Sequence, residues 1–82
     1  MSAPFVGPVK RSITIAGHAT SISLEPDFWA VLEAAARARA LPLSALVAEI
    51  DARRAEQSVA PNLASALRVW LLREIATYSQ QT

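Results

Sequence analysis

Apolar and polar residues alternate with a period of two at the start of this chain and of three to four further on. That change predicts strands followed by helices. Val9, Arg11, Ile13 and Ile15 fall on one side of a first alternating run, and Lys10, Ser12 and Thr14 on the other. Ala16-Gly17-His18 supplies a turn, with Gly17 free to take positive φ. In a second run Thr20, Ile22 and Leu24 share one face, and Ala19, Ser21 and Ser23 the other. The pattern therefore predicts strands over 9–15 and 20–24. A lone strand beside a helical body needs a partner, either in its own chain or in a second copy. Glu25-Pro26-Asp27 next opens a helix, since proline suits a first helical turn and acids suit its positive end.

That first helix runs from Pro26 to about residue 40, where Pro42 stops it. Phe28, Val31, Leu32, Ala35 and Ala36 follow the helical period, and Glu33 and Arg37 stand i,i+4 on the wet face. A second helix spans Leu43 or Ser44 to about Glu56, with Leu46, Val47 and Ile50 as its apolar stripe. Asn62 is a suitable N-cap for a third helix reaching about Thr77. There Leu63, Leu67, Trp70, Leu71 and Ile75 make one face, while Val69 and Leu72 lie off it. A helix apolar on two sides is expected to be buried on two sides, the second against another subunit. The expected organisation is an irregular, flexible arm over 1–8, one domain over 9–77 and a frayed tail over 78–82.

Composition sharpens the expectation of oligomerisation. With 82 residues, 52% of them hydrophobic and 18% charged, the chain carries more apolar surface than so small a monomer hides. It has no cysteine, which excludes a disulfide framework and a thiolate metal site and fits a cytoplasmic protein. The start of the sequence does not read as a signal peptide. The longest apolar region, 63–75, is interrupted by Ser65, Arg68, Arg73 and Glu74 and does not read as a membrane span. A net charge of +1 is low for a dedicated non-specific nucleic-acid binder, although a small basic cluster on one face suffices for DNA.

Few residues carry catalytic chemistry. His18 is the sole histidine and has no acid pair nearby, so it reads as a turn residue rather than a metal ligand. The serines lack a partnered base, and Gly7 and Gly17 make no phosphate loop. No enzyme activity, metal or cofactor is expected. Trp29 and Trp70 read as packing anchors on amphipathic helices. Lys10 and Arg11 suit either DNA contact or protection of an edge strand. Arg53 and Arg54 suit either phosphate binding or the negative end of the second helix.

Three blocks in order carry a resemblance: Lys10-Arg-Ser-Ile-Thr-Ile-Ala-Gly-His18 with Thr20-Ser-Ile-Ser-Leu-Glu-Pro26, then Leu43-Ser-Ala-Leu-Val-Ala-Glu-Ile-Asp51, then Asn62-Leu-Ala-Ser-Ala-Leu-Arg-Val-Trp70. Together they resemble the ribbon-helix-helix family, in an uncharacterised bacterial branch with a third helix. The resemblance implies a mainly α fold with a short β ribbon and an extra C-terminal helix, assembled as a homodimer. It implies a transcription regulator whose ribbon enters the major groove of double-stranded DNA. Carried over, the base-facing positions are Ala19, Ser21 and Ser23, and the phosphate site at the start of the second helix falls on Leu43 and Ser44. The chain departs from the family pattern in these short outward side chains, in Ala40 where the family has glycine, and in Pro42, which lacks an N–H.

Lys10, Arg11, Arg53 and Arg54 complete the expected DNA-contacting set. Ile22, Leu24, Phe28, Trp29, Val69 and Leu72 form the expected oligomer interface. The alternative is an oligomerisation or protein-binding module of the same fold, with the third helix as its partner surface. Arginines gathered beside the ribbon favour DNA; arginines scattered and paired with acids favour the module.

Overall fold

Ala16 and Gly17 both take positive φ, 50° and 82°, and between them fold the chain back on itself. The computed structural model describes residues 4–80, with side chains to residue 77. Within it the turn joins β1 (Val9–Ile15) to β2 (His18–Leu24) as a two-stranded antiparallel sheet. The predicted first strand matches β1. β2 begins two residues before the predicted start, because a two-residue turn sets His18 directly opposite Ile15. Positive φ at both central residues is the backbone that matches the twist of paired strands, and Gly17 adopts it without strain. The strand's partner is thus in its own chain.

Three helices follow: α1 (Pro26–Ala38), α2 (Leu43–Ala55) and α3 (Leu63–Gln80). α1 ends before Pro42 through its own cap. The Leu41 N–H donates to the Ala36 carbonyl at 2.9 Å and the Ala40 N–H to the Arg37 carbonyl at 3.0 Å, with Ala40 at φ 53°. This is the left-handed helix stop that usually takes glycine. α3 starts as expected, the Ser65 N–H donating to Asn62 Oδ1 at 2.8 Å, and its backbone runs past Thr77 to Gln80. Of the regions expected as arm and tail, residues 1–3 and 81–82 lie outside the described residues.

The inner face of the hairpin closes the core. Ile13, Ile15, Ile22 and Leu24 are buried with Trp29, Leu32 and Ala36 of α1, with Leu46, Val47 and Ile50 of α2, and with Leu67 and Leu71 of α3. β1 lies on α2, and β2 on α1 and α3. Ile22, Leu24 and Trp29 are therefore buried inside one chain, because the hairpin pairs in cis and lays both strands on the chain's own helices. Phe28 is half-buried beside them, whereas Val69 and Leu72 are exposed. Ile75, expected on the packed face of α3, is exposed as well. Four residues on from Leu71 the helix has turned a further ~40°, which carries Ile75 off the core-facing stripe.

Two stability changes follow. Leu24 is completely buried, so Leu24→Ala is expected to cost about 2–5 kcal/mol in chemical denaturation. Ala40→Gly should have the opposite sign. It relieves a left-handed conformation costing an alanine roughly 1–2 kcal/mol and restores part of that as unfolded-chain entropy. A net gain of about 0.5–1 kcal/mol is expected; a loss would contradict the cap.

Candidate nucleic-acid interface

Pairing places Lys10 opposite Ser23, Ser12 opposite Ser21, and Thr14 opposite Ala19. These six side chains share the outer face of the hairpin, and all but half-buried Ser23 are exposed. The face is polar, short and carries one charge, Lys10. Ser12 and Thr14 join the expected Ala19, Ser21 and Ser23 only because β1 is the cis partner, which alternation alone left open. The residues closing a two-residue hairpin, Ile15 and His18, form a hydrogen-bonded pair. By alternation the N–H and C=O groups of Ala19, Ser21 and Ser23 point away from β1, along the free edge of β2.

At the expected phosphate site, α2 opens with Pro42 as N-cap and no side-chain cap. The Ala45 and Leu46 N–H groups donate to the Pro42 carbonyl, leaving the Leu43 and Ser44 N–H groups at the exposed helix start. A shallow cavity beside it is lined by Arg11, Glu33, Arg37, Leu41 and Leu43. The start of α2 thus lies next to β1. Arg53 and Arg54 belong to the far end of α2, about 15 Å from Ser44 at 1.5 Å per residue. The structure brings Lys10, Ala19, Ser21 and Ser23 onto one surface and leaves Arg53 and Arg54 apart from it.

The arginines have definite employment. Arg11 points to the inner side of β1, sits 4.5 Å over the Trp29 ring and donates to Glu33 Oε1 at 2.7 Å. Trp29 also donates through Nε1 to the Val9 carbonyl at 2.9 Å. Glu33 therefore takes Arg11 rather than the i,i+4 Arg37 predicted for it, since Trp29 and Glu33 share a helix face beneath the strand. Arg39, at the end of α1, lies 4.9 Å over the Trp70 ring and pairs with Glu74. Arg68 of α3 lies 5.7 Å over the Phe28 ring, donates to Glu25 Oε1 at 2.9 Å and reaches the Ser23 carbonyl at 3.4 Å. Arg54 donates to Asp51 Oδ1 and to the Pro61 carbonyl. Among the described residues Lys10, Arg37, Arg53 and Arg73 have no acid partner.

Two strands from one hairpin, then helices, and an unoccupied helix start beside the ribbon form an architecture that can be compared directly. A family model described as a ribbon-helix-helix domain matches residues 8–75. The chain belongs to that family. No curated protein and no solved structure matches it. Ala40, where the resemblance puts the family's glycine, takes positive φ. No helix among the described residues is long and apolar enough to cross a membrane, and none of their acidic or histidine side chains cluster as metal ligands.

The Glu25 carboxyl is held below its ordinary value, first by a hydrogen bond from its own backbone and then by Arg68. A depressed carboxyl stabilises the fold at neutral pH, and that contribution is lost as pH falls through its folded-state pKa, below 4.5. Wild type should therefore exceed Glu25→Gln in melting temperature at pH 7, and the gap should close in acid, as pH falls through the lowered pKa. A gap that persists in acid would assign the loss to packing instead of charge.

Proposed function

We propose that the chain is a small, non-enzymatic bacterial DNA-binding protein of the cytoplasm, a transcription regulator acting as a homodimer. Family membership supports this reading, ribbon-helix-helix domains being generally DNA-binding regulators. The observation that carries it is the outer hairpin face. Lys10, Ser12, Thr14, Ser21 and Ser23 are polar, on one surface and unused by the fold. In the proposal that face enters the major groove, Lys10 meets phosphate, and the serines give weakly discriminating base contacts. The free Leu43 and Ser44 N–H groups bind a backbone phosphate. Arg11, Arg53 and Arg54 are left out, the first because Glu33 and Trp29 hold it, the others because they lie at the distant end of α2.

Dimerisation is proposed along the outer edge of β2 at Ala19 and Ser21, since Arg68 already reaches the Ser23 carbonyl, whereas Lys10 guards the edge of β1. Two hairpins then make a four-stranded ribbon whose two central β2 strands have the width a major groove admits, with Lys10 on the flanking strands toward the phosphates. Ser21→Pro removes an edge N–H without touching the hairpin ladder. It should convert dimer to folded monomer in light scattering. An unchanged mass would sink this pairing.

A second reading has its own observation. Arg11, Arg39, Arg54 and Arg68 are all acid-paired, and Val69, Leu72 and Ile75 leave an apolar stripe exposed on α3. Both features favour a protein-binding module. Titration against pooled genomic DNA fragments at two salt concentrations separates the readings. The DNA reading expects a retained subset whose binding weakens with salt. Lys10→Ala in both subunits should flatten the log–log salt slope by about 1.8, at ~0.9 per lost phosphate contact. Absence of binding at low salt would leave the module reading.

A further inference from the structure

The junction of α2 and α3 holds a cavity of about 380 Å³ that shares only Val69 with the exposed stripe of α3. Ile50, Pro61, Ala66, Val69 and Trp70 supply its apolar walls. Three arginines, Arg53, Arg54 and Arg73, stand around it, and none of its lining residues is acidic. Their roles differ. Arg54 is neutralised by Asp51 at 2.8 Å, and through the Pro61 carbonyl at 3.1 Å it ties the end of α2 to the loop before α3. It shapes the rim. Arg53 and Arg73, from different helices, have no acid partner among the described residues. Both are exposed and stand beside one apolar hollow, Arg53 in the last turn of α2, where its charge also complements the helix end.

The geometry points to a binding site for a small amphipathic monocarboxylate: an aromatic or branched body against Ile50, Val69 and Trp70, its carboxylate between Arg53 and Arg73. The volume suits the ligand, equal to about a dozen waters at ~30 Å³ each, the scale of a one-ring organic acid. Planar guanidinium groups fit a carboxylate in bidentate fashion. A single negative charge suits the apolar lining better than a phosphomonoester, whose second charge must also be desolvated. The site stands independently of DNA binding, since it lies at the opposite end of α2 from Leu43 and Ser44.

Titration of the full chain with 4-phenylbutyrate, 4-phenylbutanol and phenyl phosphate, followed by amide and indole shifts, tests it. The acid should move the Trp70 indole and the Ala66 and Val69 amides while the Trp29 indole, hydrogen-bonded to the Val9 carbonyl of β1 and outside the cavity lining, stays in place. It should bind about tenfold more tightly than the alcohol, the worth of a charge-assisted hydrogen bond. Arg53→Gln and Arg73→Gln should each weaken the acid and leave the alcohol and the melting temperature unchanged. Equal binding of acid and alcohol, tighter binding of phenyl phosphate, shifts mapping elsewhere, or no shifts at millimolar acid would each overturn the assignment.

Discussion

The rest of this structure depends on β1 and β2 pairing within one chain. The turn at Ala16-Gly17 fixes the register, and the register decides which side chains face the helices. With Ile15 opposite His18 and Val9 opposite Leu24, the inner face buries four large apolar residues and the outer face carries six small or polar ones. A slip of one residue would exchange the faces, uncovering Ile22 and Leu24 and burying Ser21 and Ser23 without partners. The same pairing closes the core that three short helices alone leave open on one side. It also means that the outer face is spared from folding and available for contact.

Around that core three arginines fasten one element to the next. Arg11 joins β1 to α1, Arg39 joins α1 to α3, and Arg68 joins α3 to the junction of β2 and α1. Each lies over an aromatic ring and ends on a carboxylate. All three are partly exposed, so each ion pair is worth at most about 1 kcal/mol and each ring contact about 0.5–1 kcal/mol. Their larger effect is on orientation, because both an acid and a ring must be in place for one side chain to meet them. Three of the chain's eight cationic side chains are used in this way, and on the outer face of the hairpin Lys10 is the one charge.

The strands, the helix order and most core positions could be read from periodicity, because alternation at 9–15 and the Leu46, Val47, Ile50 stripe report burial directly. The Asn62 cap was equally readable. The pairing in cis was not, since alternation says which face a residue takes and not which strand lies beside it. Ile75 was misplaced because helical drift over four residues decides burial at the edge of a stripe. The arginine contacts leave a trace in the sequence: Trp29-Ala-Val-Leu-Glu33 and Trp70-Leu-Leu-Arg-Glu74 each set a ring and an acid one turn apart. The partner cation comes from elsewhere in the chain, so spacing alone does not name it. The cavity between α2 and α3 had no local signature at all.

A ribbon made by one chain differs in consequence from a ribbon shared between two. In the first, the fold exists before assembly and the outer face is complete in each copy. In the second, strand and core form only on association. An isotope-filtered NOE experiment on an equimolar mixture of labelled and unlabelled chains distinguishes them. Ser12 and Ser21 face each other across the hairpin, and their α-protons should give a strong NOE within labelled chains. The same NOE arising only between labelled and unlabelled chains would contradict a hairpin closed in cis.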